Sequence, residues 1–202
     1  MNILPNKLKD LINKLTILPG VGPRSAQRMA IHILQNKKAQ AKQLADSLSE
    51  CIENILLCKQ CKNLSDNDLC SICSNPARNR QLICIVQSLP DLISIEQTGA
   101  YTGLYFVLSG HLSPIEQIGP EELNIPTLLS QIHTQDIKEI IIATNATIEG
   151  EATAHYITSH ITKPVKISRL ASGIPMGTEL EFLNNNTLYH ALSERKEIVT
   201  EK

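Results

Sequence analysis

The sequence predicts a multidomain α and α/β protein: a helical amino-terminal region, a four-cysteine metal knuckle, an α/β domain with a mostly parallel sheet, and a C-terminal helical segment. Three observations predict it. Apolar residues recur at helical spacing as far as Leu57, four cysteines then fall within the sixteen positions from Cys58 to Cys73, and after Arg80 short β-type runs alternate with helical stretches. The expected boundaries are 1–57, 58–73, 80–175 and 176–202.

In the first region, Leu8, Leu11, Ile12 and Leu15 form one stripe of a helix over residues 7–17, which should stop near Pro19-Gly20. A second helix opens at Pro23, where the missing N–H of proline costs nothing, and is expected to bury Ala26, Met29, Ala30, Ile33 and Leu34. A third, from Ala39 to Leu57, carries Leu44, Ala45, Leu48, Cys51, Ile52, Ile55 and Leu56 at the same period. Cys51 is expected to be an ordinary buried cysteine on that face, and Cys84 another inside a strand.

Beyond Arg80, strands are expected at Leu82–Val86, Tyr105–Leu108, Glu139–Ala143 and Val165–Ser168. Helices are expected at Pro90–Gln97, Pro120–His133, Glu151–His160 and Thr187–Arg195. Such alternation argues for a mostly parallel sheet covered by helices.

Composition narrows the function. Of 202 residues, 42% are hydrophobic and 19% charged, as in a soluble globular chain. No apolar run is long enough to cross a bilayer, and the N-terminus has no secretory pattern, so a cytoplasmic location is expected. The net charge of −1 is unevenly spread: residues 1–38 hold seven basic side chains and one acid, net +6, and the remainder is net −7. A basic end on an acidic chain suits a phosphate partner, though a solvated helical face has the same composition. Aromatic residues are only 3%, with no Trp, which argues against reading single strands by a row of stacked rings.

Leu18-Pro19-Gly20-Val21-Gly22-Pro23 lies between two amphipathic helices and reads as the core of a helix–hairpin–helix. Gly20 and Gly22 permit unusual torsions and let a phosphate approach the main chain, and free N–H groups at the next helix start accept its oxygens. Arg24 and Arg28, four residues apart, project from one face just behind. Contacts of this kind touch phosphate and not base edges, so sequence-independent, salt-sensitive DNA binding is expected. A tight helix–helix turn without a ligand is the alternative.

Cys58-x2-Cys61 and Cys70-x2-Cys73 are separated by eight residues. Each pair closes a tight turn, and two such turns complete a tetrahedral shell of four thiolates, expected to hold one structural zinc with no open position for catalysis. Iron would use the same ligands, while disulfides are disfavoured in a cytosolic chain.

The segment from Ala143 to Ala152 follows a strand and opens a helix, and here the chain resembles the Toprim domain. In Toprim enzymes this strand end bears an Asp-x-Asp pair before Glu-Gly-Glu, and an earlier strand ends in glutamate; together they hold magnesium. Here Asn145 and Thr147 stand at the aspartate positions and Gln87 follows the first strand, while Glu149, Gly150 and Glu151 match. Three anionic ligands have become neutral, which is poor chemistry for a hard cation. No catalytic residue is expected. Glu149 and Glu151 are candidate partner-docking positions, or simply acids that favour a helix N-terminus. His111, in Gly-His-Leu-Ser-Pro, stands alone in a loop, and a structural role is expected for it.

Taken with Ile95-Glu96-Gln97-Thr98-Gly99, Tyr105-Phe106-Val107-Leu108, Gly110 to Pro114 and Gly173-Ile174-Pro175, these motifs resemble, in order and spacing, the RecR family of bacterial recombination mediators. The resemblance implies a cytoplasmic, non-catalytic DNA-binding mediator of gap repair. By it the chain forms a ring-like homo-tetramer and acts with RecO, and with RecF, to load RecA on single strands. It also matches Arg24 and Arg28 to basic positions that contact DNA. Gln87 is the main departure, because RecR sequences commonly keep the Toprim glutamate there. The competing expectations are a Toprim-type nuclease, primase or topoisomerase-like enzyme, and a protein–protein adaptor that does not touch DNA.

Overall fold

The structure is a computed structural model and describes residues 3–171, 173–193 and 195. The chain divides into two compact units, Met1–Ile55 and Leu56–Lys202.

The first unit contains α1 (Asn6–Leu15), α2 (Pro23–Asn36) and α3 (Lys38–Asn54), with α2 packed against both neighbours. Proline occupies the first turn of α2, as expected, and Gly22 is its N-cap. Only Ala26 and Ala30 are buried among the described residues of this unit. These small side chains let the helices approach closely. The expected burial of Met29 and Leu34 is not met, since each is 41% exposed. Cys51 is likewise exposed, not buried, and Leu44, Leu48 and Ile52 of α3 are open to solvent. The helical period of the α3 stripe is real, but no described element within Met1–Ile55 covers it.

The second unit opens with a two-stranded antiparallel pair, β1 (Leu56–Leu57) and β2 (Leu64–Ser65), followed by the single-turn α4 (Ser71–Ser74). The third helix therefore ends at Asn54 and not at Leu57. Leu56 pairs with Ser65 and Leu57 with Leu64, and this pairing into the cysteine turns overrides the helical period of the two leucines.

The α/β part comprises β3 (Asn79–Val86), α5 (Leu89–Gln97), β4 (Gly103–Val107), α6 (Ile125–Thr134), β5 (Glu139–Ala143), α7 (Ile148–Ser159) and β6 (Lys166–Arg169). The four strands form one parallel sheet in the order β4-β3-β5-β6. Alternation along β3 sorts its side chains: Ile83 and Ile85 join a large cluster with α6 and α7, while Cys84 and Val86 join a smaller one with Leu92 of α5. Both faces are covered, so the strands read as continuous apolar runs. α6 starts at Ile125 and not at Pro120, because a turn with left-handed Asn124 (φ 54°) precedes it. A 3-10 turn at Leu180–Phe182 and α8 (Asn185–Ser193) complete the described chain.

The chain leaves β3 toward β4 on one side and later returns to β5 on the other. The ends of these three strands thus surround a topological switch point, the usual place for a ligand crevice in an open parallel sheet.

Candidate functional sites

The cysteine knuckle is built by its turns. After β1, the Cys58 N–H bonds to the Asn63 carbonyl at 2.7 Å and the Lys62 N–H returns to the Cys58 carbonyl at 3.0 Å, with Lys62 itself left-handed (φ 62°). Cys70 caps α4, which carries Cys73. All four thiols are buried, and their Sγ atoms lie within 4.8 Å of one another. A tetrahedral zinc–sulfur shell, with bonds of about 2.3 Å, requires sulfur separations of about 3.8 Å, and the four atoms fit it. The Cys70 N–H donates to Cys58 Sγ at 3.4 Å.

Electrostatics show why the shell wants a cation. Hydrogen bonding from Cys73 draws the Cys61 thiol down to about 6. The same hydrogen bond pushes Cys73 up, and burial pushes Cys70 up. Four thiols crowded into this volume oppose one another's ionisation, and a bound cation would relieve that repulsion. The chain carries one structural zinc site, Cys58, Cys61, Cys70 and Cys73.

The knuckle is anchored to the α/β part. Val107 N–H donates to the Cys61 carbonyl at 2.9 Å, Gln131 Nε2 to the Gln60 carbonyl at 2.7 Å, and Arg80 Nη2 to the Cys73 carbonyl at 3.2 Å. Ile72, between the second cysteine pair, packs against the thiol cluster and both core clusters of the sheet.

At the hairpin, Gly20 is left-handed (φ +76°), whereas Gly22 has an ordinary torsion and a Cβ added to it would meet nothing within 4 Å. Only Gly20 is thus required by the local fold; the openness at Gly22 serves no contact inside the unit. Gly20, Gly22, Arg24 and Arg28 are all exposed. No side chain caps α2, so the N–H groups of its first turn stay open. Among the described residues, neither arginine forms an ion pair.

The Toprim-type loops meet at the sheet's C-terminal edge. Gln87 lies directly after β3; its Oε1 accepts the Asn145 N–H at 3.3 Å, and its Nε2 lies 3.1 Å from His111 Nδ1. Thr147 caps α7 by accepting the Gly150 N–H at 3.2 Å. A Cβ on Gly150 would fall 2.0 Å from the Asn145 carbonyl, so glycine is required there. Glu151 forms a two-pronged ion pair with Arg169 of β6, which holds its carboxyl below the usual range. Glu149 is exposed on the same turn. A cleft of about 1050 Å³ opens here, lined by Asp91, Thr144, Asn145, Thr147, Glu151 and Arg169 among others. Among the described residues, the four cysteines are the sole grouping of three or more metal-ligating side chains.

Sequence patterns did not single out Arg78. Its guanidinium donates to Glu96 at 2.9 Å and to the Tyr101 carbonyl at 3.2 Å, while the Tyr105 hydroxyl donates to the same carboxylate at 2.7 Å. Nothing local in sequence pairs a loop arginine with a glutamate eighteen positions on.

Four family models cover most of the chain: the RecR helix-hairpin-helix over residues 8–52, the RecR four-cysteine zinc finger domain over 55–75, the Toprim domain over 81–171 and the RecR C-terminal region over 173–196. "Recombination protein RecR" of Coxiella burnetii is 54% identical over 191 residues, 93% of this chain and 94% of that protein. The chain belongs to the RecR family. The RecR of Saccharophagus degradans is 50% identical over 192 residues, covering 95% of this chain and 98% of its own. That of Xylella fastidiosa is 47% identical over 196 residues, with 95% and 98% covered. The zinc knuckle and parallel sheet described above are thus the RecR zinc finger and Toprim domains. No helix among the described residues is long and apolar enough to cross a membrane.

Proposed function

We propose that this RecR-family chain is a non-enzymatic, DNA-binding mediator of recombinational repair in the cytoplasm. In this reading the helix–hairpin–helix region, residues 1–57, grips phosphate with the Gly20 and Gly22 backbone and with Arg24 and Arg28. The chain assembles as a ring-like homo-tetramer and acts with RecO, and with RecF, to load RecA on single-stranded gaps. Glu149 and Glu151 lie on the surface proposed for partner docking.

The observation that carries the reading is the hairpin: exposed, glycine-opened, uncapped, and followed by two arginines that no carboxylate neutralises among the described residues. The Toprim loops support the absence of turnover. Gln87 and Thr147 are engaged in neutral hydrogen bonds, and Glu151 is matched by Arg169. A magnesium ion would have to displace that guanidinium and make do with amide and hydroxyl oxygens.

The test is fluorescence anisotropy with mixed-sequence oligonucleotides over a salt series. Reversing both charges (Arg24→Glu with Arg28→Glu) should weaken binding to every sequence alike and flatten the log–log salt slope by about 2. Undiminished binding by the double variant at low salt would remove the hairpin from the mechanism.

A further inference from the structure

The helix behind the hairpin carries more than two arginines. No Asp or Glu occurs between Asp10 and Asp46, so α2 has no acid of its own anywhere along its length. One turn beyond Arg28 stands His32, and one turn beyond that Asn36; like Arg24 and Arg28, both lie on the solvent side of the helix. The Asn36 Nδ2 atom lies 3.4 Å from His32 Nδ1. With the amide donating, Nδ1 is the acceptor and the ring proton resides on Nε2, for which no partner exists among the described residues.

Helix geometry relates these side chains to one another. Residues four apart rise by about 6 Å and turn by about 40°. Arg24, Arg28 and His32 therefore form a gently winding row of donors along one face of the helix. The buried Ala26 and Ala30 face the other way, into the helical unit.

We infer that His32, with Asn36 fixing its ring, extends the DNA-binding row of α2 by one further phosphate beyond Arg28. The inference rests on the hairpin reading above and assigns two residues to it. His32 binds through a neutral N–H, and Asn36 is a positioning residue that acts through the ring.

Neutrality separates this contact from the arginines. A neutral donor adds affinity without releasing a counterion, so its loss lowers affinity and leaves the salt slope alone. The experiment is anisotropy with a fluorescein-labelled duplex and single strand at about pH 8. His32→Ala should bind about three- to tenfold more weakly with an unchanged slope. His32→Arg should regain the affinity and steepen the slope by about 0.9 on duplex and about 0.7 on single strands. Asn36→Ala should weaken binding less, and should have no further effect in the His32→Ala background.

If His32→Ala and His32→Arg both match the parent in affinity and slope while reversal of Arg24 and Arg28 weakens binding, the row ends at Arg28 and the inference is overturned. If reversal of the arginines changes nothing, the hairpin reading fails first and the inference falls with it. Each variant changes a solvent-facing side chain, and an unaltered thermal transition confirms that folding is not what is being measured.

Discussion

Arg78 and Glu96 clamp the exit of the zinc finger to the first helix of the Toprim domain. The pair is two-pronged, with side chains only 14% and 26% exposed, and Tyr105 adds a hydroxyl to the same carboxylate. The Arg78 guanidinium, by hydrogen bonding, holds the Glu96 carboxyl below its ordinary range. A depressed carboxylate stabilises the fold above its unfolded pKa, and that contribution is lost as pH falls through the folded one. Glu96→Gln should therefore cost about 2 kcal/mol at neutral pH and make stability less sensitive to acidification below the ordinary glutamate range. Denaturant titrations across the acid limb measure both; equal pH sensitivity in parent and variant would contradict the assignment.

Zinc and the second unit should melt together. Cys61→Ser removes a ligand and disturbs the strand contact from Val107 to the Cys61 carbonyl. Elemental analysis should fall from about one zinc per chain to well below it, with a lower melting temperature for the α/β part. Chelation of the parent protein should reproduce the loss. Full metal content in the variant would mean that the ion sits elsewhere.

Two glycines should answer oppositely to the same substitution. In Gly150→Ala the new methyl meets the Asn145 carbonyl at 2.0 Å. Overpacking of that kind should cost about 3 kcal/mol and outweigh the helix propensity gained. Gly22→Ala has open space at its Cβ and should leave the melting temperature nearly unchanged. It should nevertheless weaken DNA binding by about tenfold, ~1.4 kcal/mol, because in the proposed binding mode the methyl would stand where phosphate approaches. Calorimetry and anisotropy on the two variants check the contrast.

Gln87 should act as a tie between two loops. Its carboxamide joins the Asn145 N–H to His111, so Gln87→Ala loses both bonds. A stability loss of about 1 kcal/mol is expected, with faster amide exchange at Asn145 measured by NMR. Unchanged exchange would show that the loops hold without it.

The parts of the fold that were legible in sequence are those set by local chemistry. Glu139–Ala143 coincides with β5, and the paired Cys-x2-Cys turns meet in one shell as their spacing demands. Contacts distant in sequence were not legible. Leu56 and Leu57 keep a helical period but pair as a strand, because Cys58 commits the chain to a turn. Cys51 obeys the rule for a buried position, yet burial needs a covering surface, which periodicity does not report. The Arg78–Glu96 clamp spans eighteen positions through a loop and leaves no periodic signature. At the hairpin, sequence indicated two glycines; only the backbone torsions separate the one the turn needs, Gly20, from Gly22, which the turn does not.

Ile72 sits between two zinc ligands, yet its side chain also completes both apolar clusters of the neighbouring sheet. Metal binding and packing of the Toprim core should therefore be coupled through this one side chain. Chelating the ion should loosen the packing around Ile72, read as faster amide exchange there and in the adjoining strands.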